Sequence, residues 1–536
     1  MNNFDHQPGA ELDVVVVGAG FAGLYLLYRL RELGLSVRVL EAGSGPGGTW
    51  YWNRYPGARC DVLSMEYSYQ FSPELQADWV WRERYATQPE ILHYINHVAD
   101  RFDLRGDLQF NTRVDSAHFD EAAGRWQLTT DTGEVFRARF CVMATGCLSS
   151  TNLPDFPGRQ RFTGATYHTG RWPPAGVDFT GQRVGIIGTG SSAIQSIPHI
   201  AEQAAHLTVF QRTPSYSIPA RNAPLGDAEV AHIKADYANF RARNRQMSFG
   251  VDFRLREEAA LSVSAAERER EYHARWAAGG LAFLGAFSDL LVDQAANDTA
   301  AEFIRQQIKA VVSDPLTAEK LTPTQIVGCK RLCVDSGYYE TFNRSNVTLV
   351  DVSDSPIEAI TAQGVRVAGQ DYPFDSLIFA TGFDAMTGAL AKIDIRGRAG
   401  RPLSEKWAAG PRTYLGLGTV GFPNLFLMTG PGSPSVLTNM LPSIEQHADW
   451  ISSCIAYVSS AQIKTIEATL EAEDAWVEHV NVVAHTTLYP SCNSWYLGAN
   501  VPGKPRVFMP YIGFPPYVAK CDQVAANGYE GFELAH

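Results

Sequence analysis

Apolar and polar positions alternate between two textures along this chain. Val14 to Val17 form an unbroken β-branched run, and three glycines follow at Gly18, Gly20 and Gly23. Next come LYLLYRLREL (24–33), apolar at helical spacing, and SVRVLE, ending at Glu41. An unbroken apolar run suits a strand buried on both faces, so this order predicts strand, turn, helix, strand around a parallel sheet. The same grammar returns as RVGIIG from Arg183, GTGSSAIQSIPHI from Gly188, and LTVFQR ending at Arg212. Between about 220 and 325 the text becomes long, charged and helical. There Ser264 and Glu267 have capping-box spacing, which predicts a helix start, and the charge run reads as a solvated helix face. Strand-like text resumes at VTLVDV (347–352) and SLIFATGF (376–383).

These patterns predict an α/β fold with two Rossmann-like units, the second inserted in the first and carrying a helical insertion. The expected boundaries are 1–146 and 376–536 for the first unit, 147–219 and 326–375 for the second, and 220–325 for the insertion. A chain of 536 residues holds roughly three or four domains' worth of core. A net charge of −12 argues against a nucleic-acid partner, while leaving room for a local basic pocket. Val14–Tyr28 is uncharged but too short and too glycine-broken to span a membrane, so no insertion and a cytoplasmic location are expected. The sequence does not set the oligomeric state, and a monomer is compatible with it. Eight scattered cysteines, without a Cys-x-x-Cys pair, fit neither zinc nor a disulfide framework, and reduced thiols are expected. No metal-ligand cluster and no G-x-S-x-G elbow appear.

Each glycine turn lies between a strand and a helix, the context in which it cradles a pyrophosphate at the helix N-terminus. Ala193 stands where the third glycine of the second turn is usual, a variant that the close helix–strand packing accepts. What separates the two units is the end of the second strand. Glu41, 23 residues beyond Gly18, can accept hydrogen bonds from ribose hydroxyls and suits FAD. Arg212 and Thr213, at the matching place after Gly188, suit the 2'-phosphate of NADPH. Reduced flavin could then pass electrons to a disulfide, another acceptor or dioxygen. Residues 43–59 hold no cysteine pair, so oxygen is the better acceptor.

Phe162, Gly164, His168, Trp172 and Pro173 spell F-x-G-x-x-x-H-x-x-x-W-P between the two turns. With GGTWYWNRYPGARCD (47–61), EYSYQFS (66–72), KRLCVDSGYYETFNR (330–344), ATGFD (380–384) and SWYLGANVPGKPRVF (494–508), the chain resembles the type I Baeyer-Villiger monooxygenases along nearly its whole length. It is most similar to their phenylacetone and steroid monooxygenase branch. YIGFPPY, around Gly513, departs from the family pattern at what would be a pocket edge. The resemblance implies that NADPH reduces FAD, that oxygen adds to give a flavin peroxide, and that the peroxide attacks a bulky, aromatic, cyclic or steroid-type ketone to yield an ester or lactone. By that resemblance Arg331 is the catalytic cation and Asp61 orients it. Thr49, Trp50, Tyr51, Trp52, Arg59, Cys60, Asp61, Tyr67 and Val114 would face the flavin. Thr189, Gly190, Ser191, Ser192, Gln195, Lys330 and Trp495 would face NADP, and Val436, Leu437 and Met440 would shape the ketone pocket. His168 reads as a hydrogen-bonded structural residue coupling NADPH binding to domain motion, with Trp172 and Pro173 anchoring the segment. A flavin-containing N- or S-oxygenating enzyme and a non-catalytic FAD/NADPH sensor are the alternatives.

Overall fold

The computed structural model describes residues 11–536. Its first sheet runs, by residue, 394–396, 114–120, 125–130, 135–143, 11–17, 37–40 and 108–109, with Leu425–Leu427 also paired to the strand Val135–Met143. Val14 pairs with Val37 on one side and Phe140 on the other, so the β-branched run is central and covered on both faces. The helix Phe21–Glu32 closes one face, and the long helix Met440–Ser460 packs on it. Tyr25 Oη donates to Asp449 at 2.8 Å across that seam. This first unit is therefore built from both ends of the chain.

The second sheet is entirely parallel, in the order 347–351, 206–211, 183–187, 376–379, 165–168. One placement differs from the sequence reading. Ser376–Phe379, expected to open the return to the first unit, is an inner strand of the second sheet, paired with Arg183–Ile187. Ala165–His168, within the fingerprint segment between the two turns, is that sheet's edge strand. A four-residue strand carries no periodicity that reveals its sheet, so the register had to decide.

The insertion is helical as expected, with Ser264 Oγ capping the helix Ala265–Ala278 by accepting from Glu267 N at 3.2 Å. It does not rest on the second unit alone. The helix Tyr237–Arg245 sends the buried Arg241 into the first unit, where it donates to Glu66 O at 2.7 Å and Ser68 Oγ at 2.5 Å. Asn244 Nδ2 donates to Glu66 Oε1 at 3.0 Å, and Glu445, beside it, accepts from Gln70 N and Phe71 N. The expectation of eight reduced cysteines also needs correction. Cys329 and Cys492, with Cα atoms 5.5 Å apart, form a disulfide, and the other six are free and buried. Spacing 163 residues apart gave no sign of this contact. Among the described residues no helix is long and apolar enough to cross a membrane.

Burial raises both the Glu66 and Glu445 carboxyls to about 7. A carboxyl whose pKa is raised by folding adds stability that is complete below its ordinary value of 4.5 and is lost as pH rises through about 7. Glu66→Gln keeps the acceptor and removes the charge. Its apparent melting temperature should gain on the wild type by about 1–3 °C between pH of roughly 5.5 and 8, as read by a thermal melt across pH. Equal slopes would refute the charge-burial account of this seam.

Candidate active site

One cavity of about 1310 Å³ runs between the two units, and both glycine turns open into it. The turns are built alike. Gly18 has φ +108°, and a Cβ there would stand 2.5 Å from Ala144 O. Gly188 has φ +115°, with Ala380 O equally in the way. Both carbonyls belong to an Ala-Thr-Gly triplet ending a strand of the same sheet, so only glycine lets the turn sit against it. Gly23 and Ala193, counted from the sequence among the nucleotide-cradle residues, serve packing instead. Gly23 lies against Gly18 O and Ala193 is fully buried, and neither lines the cavity. The helices that follow, Phe21–Glu32 and Ser191–Gln203, start without a side-chain cap, and nothing stands within 4 Å of where a Gly190 Cβ would point. Open N–H groups beside that free approach suit a diphosphate.

Glu41 is buried and accepts from Ala19 N at 2.8 Å and Gly43 N at 2.7 Å, which fixes its carboxylate at the cavity wall. Burial raises its pKa against the pull of those two bonds and of Arg113. At the other turn Thr189 Oγ1 donates to Thr213 O at 3.0 Å, and Arg212 and Lys330 line the same stretch. Burial, then the Arg212 charge, lowers the Lys330 pKa, so the two cations lie close enough to repel. Such a pair suits a doubly charged anion.

Arg331 and Asp61 meet at the centre. Arg331 Nε donates to Asp61 Oδ2 at 2.5 Å, Nη2 to Asp61 Oδ1 at 2.9 Å, and Nη1 to Val436 O at 3.0 Å. Burial works against the charge, but Asp61 outweighs it and holds the guanidinium above its ordinary range. Asn297 fixes the approach to this loop, exchanging hydrogen bonds of 2.9 Å in both directions with the Val327 backbone. From the sequence it drew notice only as the start of an Asn-x-Thr triplet, not as part of the site. Its signal was a polar residue on the apolar stripe of the helix Gln294–Val311, among Ala296, Ala300, Ala301 and Ile304.

Thr49, Trp50, Trp52, Arg59, Cys60, Tyr67, Val114, Ser191, Ser192, Gln195, Trp495, Val436 and Met440 all line the cavity. Tyr51 does not. Its ring packs on the Gly43–Gly47 loop and its hydroxyl bonds Ser44. Leu437 also points away, into a buried cluster with Met386, Tyr489 and Phe508. Residues around Gly513 do not line the cavity either. Gly513 caps the helix Phe514–Ala526, so the YIGFPPY departure falls outside the pocket wall. Three cations missed in the sequence, Arg113, Arg171 and Lys392, line the rim.

None of the five fingerprint residues lines the cavity, although Gly170 and Arg171 within the fingerprint do. His168 Nδ1 accepts from Gly170 N at 3.0 Å, so the proton sits on Nε2, which faces Asn152 O at 3.3 Å. Burial lowers its pKa, against the pull of the Asn152 carbonyl. The Trp172 ring is buried against Tyr167 and Phe179, and its backbone N–H donates to Trp52 O at 3.3 Å. Gly164 lets the chain pass Asp375 O and the Phe162 ring, and Pro173 O accepts from Gly176 N. The fingerprint is thus a strut from the second sheet to the short helix Thr49–Trp52.

Residues 15–230 match a family model described as pyridine nucleotide-disulphide oxidoreductase. A Baeyer-Villiger monooxygenase of Pseudooceanicola batsensis is 46% identical over 97% of this chain and 96% of its own. Phenazine N-monooxygenase PhzNO1 of Lysobacter antibioticus is 44% identical over 98% and 97%. A solved steroid monooxygenase bound to NADP superposes with a TM-score of 0.94 at 55% identity, covering 98% of this chain and 100% of that one. With the Arg331–Asp61 pair set between two dinucleotide cradles and relatives of this identity along its whole length, the chain belongs to the Baeyer-Villiger monooxygenase family.

Proposed function

We propose that the protein inserts one oxygen atom of O₂ beside the carbonyl of a ketone. One ketone, O₂, NADPH and a proton then give an ester or lactone, NADP⁺ and water. The observation that carries this reading is Arg331, held by Asp61 in the cavity both cradles share. Both cradles fit their groups. Glycine contacts leave room only for a close backbone turn, the helix N-termini are uncapped, Glu41 suits a ribose, and Arg212 with Lys330 suits a 2'-phosphate. Bound FAD supplies the reduction of oxygen, using a hydride from NADPH.

The chain's own part follows from geometry. A guanidinium has five N–H donors, and three of those on Arg331 are engaged by Asp61 and Val436 O. Two remain for the oxyanion that forms as the ketone carbonyl is attacked. Because Asp61 keeps it charged, Arg331 offers that cation at any working pH. Apolar Val436, Met440 and Ile444 at the cavity wall exclude water and suit a bulky, cyclic or aromatic ketone. The likeness to a steroid monooxygenase supports the same substrate class.

A second reading, N-oxygenation of an aromatic ring nitrogen, draws on the relative named phenazine N-monooxygenase. Transfer of oxygen to a nitrogen lone pair forms no carbonyl oxyanion, so Arg331 separates the two. Incubation with NADPH, O₂ and panels of ketones and aromatic N-heterocycles, with product analysis, tests both. Ester from a ketone supports the proposal, and N-oxide with no ester overturns it. Arg331→Ala should lower ketone oxygenation by about 10²–10³-fold while FAD content is unchanged, and Arg331→Lys should recover little because its ammonium cannot form the fork. Unimpaired ester formation in Arg331→Ala would remove the proposed role. Arg212→Ala should cut the preference for NADPH over NADH by about ten- to a hundredfold, read as the ratio of kcat/KM values.

A further inference from the structure

Cys329 and Cys492 connect two segments that face the cavity from different units. Cys329 immediately precedes Lys330 and Arg331 and itself lines the cavity. Cys492 is followed by Asn493 and Trp495, which also line it. Neither segment is held by a sheet or a long helix. Residues 322–332 are loop and turn, and residues 486–513 contain only two three-residue 3₁₀ turns. The two segments differ in what else restrains them. Arg331 is fixed three times over by Asp61 and Val436 O, with or without the bridge. The Lys330 ammonium makes no side-chain hydrogen bond within the protein among the described residues. Beyond Trp495 the chain is anchored by Asn500 Nδ2 on Phe383 O at 2.7 Å and by Lys504 Nζ on Asp384 at 2.5 Å. On its near side the bridge is the covalent anchor.

We propose that Cys329 and Cys492 form a redox modification site that sets the affinity for NADP(H), with hydrogen peroxide as oxidant and small thiols or phosphines as reductants. The proposal rests on the reading that Lys330 and Trp495 hold that nucleotide. The bonded form adds a restraint on both residues across one stretch of cavity, and cleavage loosens their segments between the remaining anchors, so tightening them again costs binding. Arg331, independently held, keeps its place. The oxidation balances. The sulfur of one cysteine attacks peroxide, the O–O bond breaks, and a sulfenic acid and water form. The second thiol then displaces water from that sulfur as the S–S bond closes. Two thiols lose two electrons and two protons, and one peroxide becomes two waters. Oxygen reduced by NADPH without transfer to a substrate yields hydrogen peroxide in the same cavity, beside Cys329.

The test uses the purified holoenzyme treated with tris(2-carboxyethyl)phosphine or with hydrogen peroxide. Thiols are alkylated after denaturation and mapped by peptide mass, and NADP⁺ affinity is measured by titration. Reduction should expose thiols at Cys329 and Cys492, and peroxide should remove both. The NADP⁺ Kd should rise about five- to tenfold on reduction, with FAD content constant. Cys329→Ser and Cys492→Ser should match the reduced protein and ignore peroxide. The proposal is overturned if both thiols stay alkylatable after peroxide, or if affinity differs by less than about twofold between the two forms. Should a serine variant fail to fold, the wild-type comparison decides alone. A protein with redox-dependent NADP⁺ affinity and no ester product keeps this inference and loses the ketone reading. Ester formation with redox-blind affinity does the reverse.

Discussion

The ion pair between Arg331 and Asp61 is the constraint from which the rest of the site is measured. Asp61 belongs to the first unit, Arg331 to the second, and the carbonyl of Val436 to the returning C-terminal part. A charge in this half-buried place is tolerable only when paired and hydrogen-bonded, so the two units must meet in one relation for either group to be satisfied. Other contacts point the same way. The insertion reaches back to the first unit through Arg241, and Asn297 steadies the loop that delivers Arg331.

Around that pair the molecule uses one device twice. Each glycine turn leans on the carbonyl of an alanine from a neighbouring strand's Ala-Thr-Gly end, and each leaves a helix N-terminus open to the cavity. What differs is charge, with an acid at the end of one second strand and a cation after the other. The chain as a whole carries −12, yet Arg113, Arg171, Arg212, Lys330, Arg331 and Lys392 all border the cavity. The basic field is local, where two anionic nucleotides would be drawn in.

Much of this could be read before any coordinates, because glycine turns between a strand and a helix and the charge at a strand end are local facts. Glu41, Arg212 and the capping box at Ser264 are of that kind. Where the reading failed, the answer lay in the tertiary direction of a side chain or in a register. Tyr51 and Leu437 sit in the right segments but point into packing. Ser376–Phe379 is apolar enough for either sheet, and pairing alone assigns it. The Cys329–Cys492 contact spans 163 residues and follows from the docking of two irregular segments, which no spacing rule encodes. His168 was readable as structural, but its place on an edge strand was not.

The interleaved topology has a consequence for how the protein comes into being on the ribosome. The second sheet has all its strands once residue 379 is made, so that unit can collect its partners while synthesis continues. The first sheet cannot. Its strand Val135–Met143 waits for Leu425–Leu427, and its covering helix waits for residues 440–460. The earliest-made strand is thus among the last to be enclosed, and the long wait for distant partners is slow and exposed to misassembly. The inserted sheet therefore has its full set of strands before the sheet that encloses it does.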